Sequence, residues 1–280
     1  MSAGSKRPFC QVNVFSADPL AGNPLAVVHD AEALSEAQMG ALARWTNLSE
    51  TTFLLAPSVA GADYRVRIFT PSGELPFAGH PTLGSCYAWL AAGGKPGKPG
   101  LVVQQCGAGL VSVRSDGPRL EFAAPPLLRT GPLEPEVRAK IAGALGLSES
   151  DIVQHQWADN GPGWCAVMLR SAREVLALKP DWARLDPLKL GVVGPHEPGI
   201  DADFEVRAFI GGGGYEDPVT GSLNASLAQW LIGAGLAKSF YVAAQGAALQ
   251  RSGRVYLRKQ GDQVWVGGDV IEVVRGEIRI

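Results

Sequence analysis

The chain contains one stretch twice, at a separation of half its own length. Residues 66–90 read VRIFTPSGELPFAGHPTLGSCYAWL, and residues 206–231 read VRAFIGGGGYEDPVTGSLNASLAQWL. Each copy starts with a β-prone Val-Arg-x-Phe, turns through a glycine-containing loop and continues in an apolar helical pattern that ends in Trp-Leu. The sequence therefore predicts a strand, a loop and a helix, built twice.

Two further pairs of segments repeat at nearly the same separation. Residues 22–28 (GNPLAVV) match residues 162–168 (PGWCAVM), and residues 109–122 match residues 253–266. These separations are 140 and 144 positions in a chain of 280 residues. Such a period is far too long for a solenoid and indicates two similar halves that arose by duplication. Each half is long enough to bury a core of its own.

Composition and charge exclude several classes of partner. The 25 basic and 27 acidic residues give a net charge of −2, so there is no electrostatic reason to expect nucleic acid or an anionic membrane. No apolar run approaches the roughly 20 residues that span a bilayer, and the start MSAGSKRPFCQVNVF lacks a signal-peptide core. We therefore expect a soluble, cytoplasmic protein that does not bind a membrane.

The cysteines and histidines carry no metal or disulfide signature. The four cysteines show no C-x-x-C spacing and lie in apolar segments, so we expect buried, reduced thiols. The four histidines form no H-x-x-x-H pair, and no metal site is predicted. The 35 glycines and 20 prolines favour short strands and many turns over a helical bundle.

Local signals place the secondary structure around the first repeat. Ser35 opens an S-x-x-Q capping box, which predicts a helix that ends near Asn47. The following segment LSETTFLLA predicts a strand from about Thr51, so Glu50 falls where helix gives way to sheet. We expect residues 181–202 to be irregular because they are rich in proline and glycine. The proline-rich segment 123–135 is the predicted linker between the halves.

Both repeated helices start in a loop that suits an anion. Gly79-His80-Pro81 opens the first helix and Thr220-Gly221-Ser222 opens the second. A helix N-terminus offers unpaired N–H groups and the positive end of the dipole, and glycine lets a ligand approach the backbone. If the halves pack about a pseudo-twofold axis, both helix starts face one cleft that would bind a small carboxylate. Neither loop fits a nucleotide-binding fingerprint.

Charged residues surround these loops in matching places. The titratable residues near them are His80, Glu74, Glu216 and Asp217. Arg67 and Arg207 occupy equivalent positions of the two repeated strands and either point outward or bind an anion.

Ordered motifs along nearly the whole chain resemble the phenazine-biosynthesis isomerase-like (PhzF-like) family. They are GNPLAVV (22–28), NLSETTF (47–53), FTP (69–71) with AGHPT (78–82), EDPVTGS (216–222) and VGG (266–268). The resemblance implies the diaminopimelate epimerase-like fold, which is α+β with two pseudo-symmetric β-rich domains, each a curled sheet or barrel around a central α-helix. We expect domains at 1–126 and 127–280, with C-terminal strands able to exchange into the first domain.

The resemblance also implies a site and a reaction. It makes Glu50 the acid and base that moves a proton between carbon atoms, with His80 and Asp217 as the catalytic residues that flank the substrate. It implies that Ser222 and the amides of Gly79 and Gly221 bind the substrate's carboxylate. The expected enzyme is a homodimeric, cofactor-independent isomerase that acts on a small anionic organic substrate in the cleft between its domains. A carboxyl group in an apolar cleft has a raised pKa and can take and return a proton.

Other readings remain open at the level of sequence. Epimerases of this fold carry a cysteine on each loop, and neither matching loop has one here, which excludes two-thiol epimerisation. A two-base epimerase that uses Glu50 and Asp217 from opposite faces, and a ligand-binding protein without catalysis, are the alternatives. Structurally, Asp217 can be a helix-dipole partner, His80 a hydrogen-bonding residue and Ser222 a helix cap. Asn224 stands where the family often has a histidine.

Overall fold

The chain divides into two compact units in a computed structural model that describes residues 5–116 and 118–280. The first unit comprises the residues up to Ala123 together with Gly267–Ile280, and the second comprises Ala124–Val266. The first unit is therefore closed by the C-terminal end of the chain. No helix within the described ranges is long and apolar enough to cross a membrane.

The first unit is built on a mixed sheet. Its helices are α1 (Glu36–Thr46) and α2 (Gly79–Ala91). Its strands are β1 (Lys6–Val14), β2 (Asn23–Val28), β3 (Glu50–Leu55), β4 (Tyr64–Thr70), β5 (Gly73–Leu75), β6 (Leu101–Cys106), β7 (Gly109–Asp116), β8 (Arg119–Ala123) and, from the C-terminal end, β17 (Val270–Arg279). β1 pairs antiparallel with β17 and β2, β2 pairs parallel with β3, and β3 pairs antiparallel with β4. β4 continues parallel to β6, which is antiparallel to β7.

The second unit follows the same plan. Its helices are α3 (Pro135–Leu145), α4 (Ala172–Ala177), α5 (Trp182–Leu185) and α6 (Gly221–Gly233). Its strands are β9 (Gln154–Trp157), β10 (Trp164–Met168), β11 (Lys189–Pro195), β12 (Phe204–Ile210), β13 (Tyr215–Asp217), β14 (Phe240–Gln245), β15 (Gly253–Gln260) and β16 (Gln263–Gly268), whose last residues pass the boundary of the unit.

The strand directions confirm the duplication. From β9 through β10, β11, β12 and β14 to β15 the pairings alternate antiparallel, parallel, antiparallel, parallel and antiparallel. The same alternation runs from β1 through β2, β3, β4 and β6 to β7 in the first unit. The repeated helices α2 and α6 make equivalent crossovers, each between two parallel strands, β4 to β6 and β12 to β14.

Each repeated helix is packed closely against the sheet of its own unit. In the first unit, a Cβ atom added to Gly84 of α2 would lie 2.6 Å from Leu25 and 2.9 Å from Val12. In the second unit the glycine is on the strand, since a Cβ added to Gly191 of β11 would lie 2.4 Å from Leu223 of α6. In both units the missing side chain lets helix and sheet approach each other closely.

The prediction of an irregular segment at 181–202 is wrong. α5 (Trp182–Leu185) and β11 (Lys189–Pro195) lie in it, and β11 is a buried strand paired on both sides. Its glycines reflect close contact, because a Cβ added to Gly194 would lie 2.5 Å from the carbonyl oxygen of Ser171. Here glycine marks a crowded strand and not a loop.

The predicted course of the chain before Glu50 is confirmed. Ser35 caps α1 in a complete capping box with Gln38, and Asn47 ends the helix in the left-handed conformation at φ 52°. The chain then enters β3 at Glu50. The four cysteines are all buried and free, as expected.

Candidate active site

Glu50 is the first residue of β3 and is held in place from both sides. β3 runs parallel to β2, with Glu50 opposite Leu25 in the register. The hydroxyl groups of Thr46, at the end of α1, and Thr51 lie 2.9 Å apart, which ties the helix end to the strand start. The Glu50 side chain is only 14% exposed. The position of its carboxyl group is therefore set by two secondary-structure elements and not by a mobile loop.

His80 brings an imidazole to this carboxyl group. It is the second residue of α2, and its Nε2 atom lies 3.3 Å from Oε2 of Glu50. Burial lowers the pKa of His80 to about 3. The imidazole is thus neutral at pH 7, and the contact joins a carboxyl group to a neutral ring and not to a cation.

The N-termini of α2 and α6 both lack a side-chain cap. The N-cap residue of α2 is Ala78, which has no hydrogen-bonding side chain. The N-cap residue of α6 is Thr220, whose hydroxyl makes no capping bond in the described structure. Gly79 and Gly221 are the first residues of the two helices, so the amides that the sequence assigned to anion binding are at these helix starts.

In the second unit, the Thr220 hydroxyl is used to hold Asp217. Its Oγ1 donates to Oδ2 of Asp217 at 2.5 Å. Gln245 of β14 in turn donates from Nε2 to Thr220 Oγ1 at 2.9 Å and to the Asp217 carbonyl at 3.1 Å. The backbone N–H of Thr220 donates to Oε1 of Gln245 at 3.0 Å. This bonding leaves the Thr220 hydroxyl with one direction for its proton, towards Asp217, and so orients the carboxylate.

Ser222 is fixed by two side chains, Asn160 from the loop between β9 and β10 and Trp164 from the start of β10. Trp164 donates from its indole Nε1 to Ser222 Oγ at 3.1 Å. Asn160 donates from Nδ2 to the Ser222 carbonyl oxygen at 3.0 Å. Both bonds meet at the first turn of α6, so this turn is anchored to the sheet of its own unit.

One hydrogen-bonded pair recurs at matched positions of the two units. In the first, Gln104 of β6 donates from Nε2 to Oγ1 of Thr82, the fourth residue of α2, at 3.0 Å. In the second, Asn224, the fourth residue of α6, donates from Nδ2 to Oε1 of Gln245 at 2.8 Å. Each repeated helix is thus pinned to the strand that follows it. The pairs differ beyond that point, since Gln104 accepts from the buried Tyr64 hydroxyl while Gln245 reaches Thr220.

The two arginines of the repeated strands form ion pairs within their own hairpins. Arg67 binds Glu74 through Nε at 2.7 Å and also pairs with Glu36 at 2.9 Å. Arg207 binds Glu216 with two nitrogens, at 3.0 and 2.7 Å, and its side chain is only 6% exposed. Both guanidinium groups are therefore paired with carboxylates of the protein itself. Glu74 and Glu216 are thereby committed to structure.

Among the predicted site residues, the structure brings Glu50 and His80 into contact in the first unit. In the second unit it gathers Asp217 near Gly221 and Ser222 through Thr220. Sequence reasoning missed Asn160, Trp164 and Gln245. The first two lie in the segment DNGPGW, which overlaps the counterpart of GNPLAVV. That overlap was the available signal.

Within 5–116 and 118–280, no group of three His, Cys, Asp or Glu side chains is placed to hold a metal ion.

Comparison with known proteins identifies relatives along the whole chain. The family model described as phenazine biosynthesis-like protein matches residues 12–276. The chain is 39% identical over 220 residues to antisense-enhancing sequence 1 of Schizosaccharomyces pombe, covering 73% of each chain. It is 33% identical over 271 residues to trans-2,3-dihydro-3-hydroxyanthranilate isomerase of Pseudomonas aeruginosa, covering 89% of each chain. A crystal structure of a PhzF-family phenazine biosynthesis protein from Enterococcus faecalis superposes with a TM-score of 0.82 at 25% identity, covering 99% of this chain and 100% of that one. The expected fold is thereby confirmed.

Proposed function

Because this chain belongs to the phenazine biosynthesis-like family, we propose that it moves a proton between carbon atoms of a small carboxylic acid with Glu50 as general acid and base. The chain is an isomerase, as relatives that match most of its length are named isomerases. The proposal concerns the group that carries the proton and the class of substrate.

The observation that supports Glu50 most strongly is its contact with His80. Since burial lowers the pKa of His80 to about 3, the imidazole is too weak a base to remove a proton from carbon at pH 7. A neutral ring at 3.3 Å also does not hold the carboxylate in its charged form, as an imidazolium would. Of the two neighbouring groups, the carboxylate is therefore the one that takes the proton. Once protonated, the same carboxyl group returns that proton to a different carbon.

The helix start of the second unit supports a carboxylate substrate. α6 has no side-chain cap in the described structure, so its first amides remain as donors, and Ser222 adds a hydroxyl to this first turn. Fixed donors of this kind stabilise negative charge on a bound carboxylate and on an enolate-like transition state. We assign Gly221 and Ser222, with the equivalent Gly79 of the first unit, to carboxylate binding. Asp217, oriented by Thr220, is assigned to the substrate as the second catalytic group.

The test is a screen of small carboxylic acids in D2O, followed by NMR. The panel includes trans-2,3-dihydro-3-hydroxyanthranilate, the compound named in one relative, and amino-acid and aromatic carboxylates. We expect at least one acid to be isomerised by the wild-type chain and Glu50→Gln to lower that rate by a factor of about 100 or more. Turnover that is unchanged in Glu50→Gln would contradict the proposal.

The isotope content of the product separates the remaining mechanisms. With Glu50 as the only base, part of the original proton reappears at the new carbon in the first turnovers. Inversion at one carbon with a solvent deuterium supports two bases, and in that case Asp217→Asn abolishes exchange from one face only. Binding of an acid without any proton exchange supports a ligand-binding protein that does no chemistry.

A further inference from the structure

We propose that the chain forms a homodimer in which β17 pairs antiparallel with β17 of a second copy, about a twofold axis that passes beside Gly276. The family resemblance implies a homodimer but names no surface for it. β17 has the exposure, the backbone groups and the order of charges that such a surface needs. The inference goes beyond the proposed function, because the acid–base role of Glu50 and this pairing hold or fail independently.

β17 is an exposed edge strand of the first unit. Among the residues that the structure describes, β1 is the strand that pairs with it, and residues 273–277 are all exposed. Val274 is 46% exposed, although valine is a residue that proteins mostly bury. A long exposed edge strand is a ready template for another strand.

The backbone groups of β17 show which residues would bond to a second copy. The N–H of Ile280 donates to the carbonyl oxygen of Ser5, so the even-numbered residues of this part of β17 turn their backbone groups towards β1. Pro8, which lies opposite Glu277, has no N–H, and its carbonyl oxygen accepts from the N–H of His29 on the other side of β1. The residues that point their N–H and C=O groups to the open edge are therefore Arg275, Glu277 and Arg279.

Symmetry limits the register of this pairing. A twofold axis between two antiparallel copies of one strand sets one residue opposite its own copy. With Gly276 at the axis, Arg275 of each copy lies opposite Glu277 of the other, and Val274 lies opposite Ile278. Cross-strand pairs of opposite charge stabilise antiparallel strands, and apolar pairs remove side chains from water. One position to either side, Arg275 or Glu277 would face its own copy, and like charges directly opposite each other destabilise the pairing.

The charged pairs and the apolar pairs fall on opposite faces of the sheet. Ile278 packs against the core beside α1, and Val274 and Gly276 share its face because the side chains of a strand alternate. Arg275 lies on the other face, where it lines a pocket with Ala88 of α2. A Cβ atom added to Gly276 would meet no atom within 4 Å, so the sheet is open at the proposed axis. Side chains of a second copy therefore have room there.

An apolar groove lies along β17 on the same face as Ile278. It runs between β17 and α1 and is lined by Leu42 and Trp45 of the helix and by Ile278 and Ile280 of the strand. Trp45 is 80% exposed. In the proposed dimer, Val274 of the second copy lies opposite Ile278, with Cβ atoms about 4.5–5.5 Å apart, and covers the strand side of the groove. The exposed apolar surface beside the open edge thus gains a partner of matching chemistry.

The charges that would pair between the copies are already oriented within their own chain. Lys6 holds Glu277 at 2.7 Å, and Glu272 holds Arg275 at 2.7 Å. The side chains of Glu277 and Arg275 remain 59% and 61% exposed. A carboxylate accepts several hydrogen bonds and a guanidinium group carries several donors, so each keeps capacity for a second partner. The two intrachain pairs therefore place these charges beside the open edge.

Charge reversal tests the register. The wild type should have twice the monomer mass of 29.4 kDa in light scattering and in analytical ultracentrifugation. Arg275→Glu and Glu277→Arg each set two pairs of like charges opposite each other and should raise the dissociation constant of the dimer by a factor of about 10 or more. When the two variants are mixed, opposite charges face each other again, and a heterodimer should form. A monomeric wild type, unchanged dissociation constants in both variants, or a mixture that stays monomeric overturns the proposal.

Lys6→Gln and Glu272→Gln are the matched controls. They remove the intrachain partners of Glu277 and Arg275 but leave the proposed contacts between the copies in place. Both variants should dimerise with a dissociation constant within a factor of about 3 of the wild type. If they dissociate as readily as the charge-reversed variants do, the charges of β17 act within one chain and the proposal is overturned.

Amide hydrogen exchange keeps the result decisive if a charge-reversed variant does not fold. The N–H groups of Glu277 and Arg279 point to the open edge, so in the wild-type dimer they should exchange at least about 100 times more slowly than in an unfolded chain. Fast exchange of both in a dimeric wild type would show that the copies associate through another surface, and the proposal would be overturned.

Discussion

Glu50 and His80 lie 30 positions apart in the sequence, yet a carboxyl oxygen and an imidazole nitrogen of these residues are 3.3 Å apart in the first unit. Glu50 begins β3 and His80 lies in the first turn of α2, so the contact depends on how closely helix and sheet pack. Since burial lowers the pKa of His80 to about 3, the pair consists of a carboxyl group and a neutral imidazole at pH 7.

Replacing Glu50 with glutamine should abolish proton transfer while leaving the fold intact. The amide keeps the size of the side chain but cannot accept a proton from carbon, so the isomerisation rate should drop by a factor of about 100 to 10,000. The rate is followed by NMR with the acid found in the D2O screen. Glu36→Gln is the control, because Glu36 is a surface carboxylate of the same unit, 73% exposed, that pairs with Arg67. Equal loss in both variants would show that charge in general, and not Glu50, matters.

The pH dependence of stability should contain a term from His80. An unfolded histidine has a pKa near 6.5, and burial lowers the pKa of folded His80 to about 3. As pH falls, the unfolded state binds the proton first, so the stabilisation is complete above about pH 6.5 and is lost as pH falls towards 3. The slope from one such group approaches about 1.4 kcal/mol per pH unit.

Urea denaturation of wild type and His80→Gln between about pH 6.5 and about pH 4 measures this term. The wild type should lose more of its unfolding free energy over that range than the variant does. The other histidines are present in both proteins and cancel in the comparison. If the unfolding free energies of the two proteins change with pH in parallel, folded His80 takes up a proton as readily as an unfolded histidine. That result would contradict a neutral imidazole at this position.

Thr220 is expected to act on catalysis by positioning Asp217. Thr220→Val keeps the branched shape and removes the hydroxyl that donates to Asp217 Oδ2, so the carboxylate loses its orientation. We expect kcat to fall by a factor of about 10 with a smaller change in KM, since a misplaced catalytic group slows the reaction more than it weakens binding. Thr220→Ser retains the hydroxyl and should restore most of the rate. A variant pair with equal kcat would remove Thr220 from the mechanism.

Two helical glycines should respond in opposite ways to alanine. Gly84→Ala places a methyl group 2.6 Å from Leu25, which forces α2 away from the sheet and should lower the unfolding free energy by about 1–3 kcal/mol. Gly40→Ala in α1 meets only the flexible end of Arg44 at 3.3 Å and should stabilise the protein by about 0.5–1 kcal/mol. Thermal unfolding measures both changes. Destabilisation by Gly40→Ala as well would contradict the expected gain in helix propensity at that position.

The sequence repeat predicted most of the fold, because duplicated strand and helix patterns imply duplicated packing. It predicted less of the site. The bond between Thr82 and Gln104 and that between Asn224 and Gln245 share a glutamine on the strand, but the helix partners are of different types, so the repeat alone did not predict these bonds. Glu50 was found by resemblance alone, since a glutamate at a strand start is ordinarily exposed.

The misread segment and the missed asparagine share a physical cause. Gly191 and Gly194 looked like loop residues in the sequence. Each is needed as glycine because an added Cβ atom would come too close to another residue of the second unit, Leu223 at Gly191 and Ser171 at Gly194. Asn160 looked like an ordinary turn residue, and its importance comes from Ser222, 62 positions later. Short-range sequence patterns indicate which local conformation a residue prefers. The residue type at these three positions is instead determined by a tertiary contact that forms only on folding.

β17 pairs with β1 in a register that sets Lys6 opposite Arg279, so two strands that are far apart in the sequence meet in one sheet. During translation β17 is therefore synthesised only after the whole of the second unit, Ala124–Val266. Domains usually fold in the order of their synthesis. In this chain the unit that begins first is completed after the second, because the unit that holds Glu50 and His80 also needs β17.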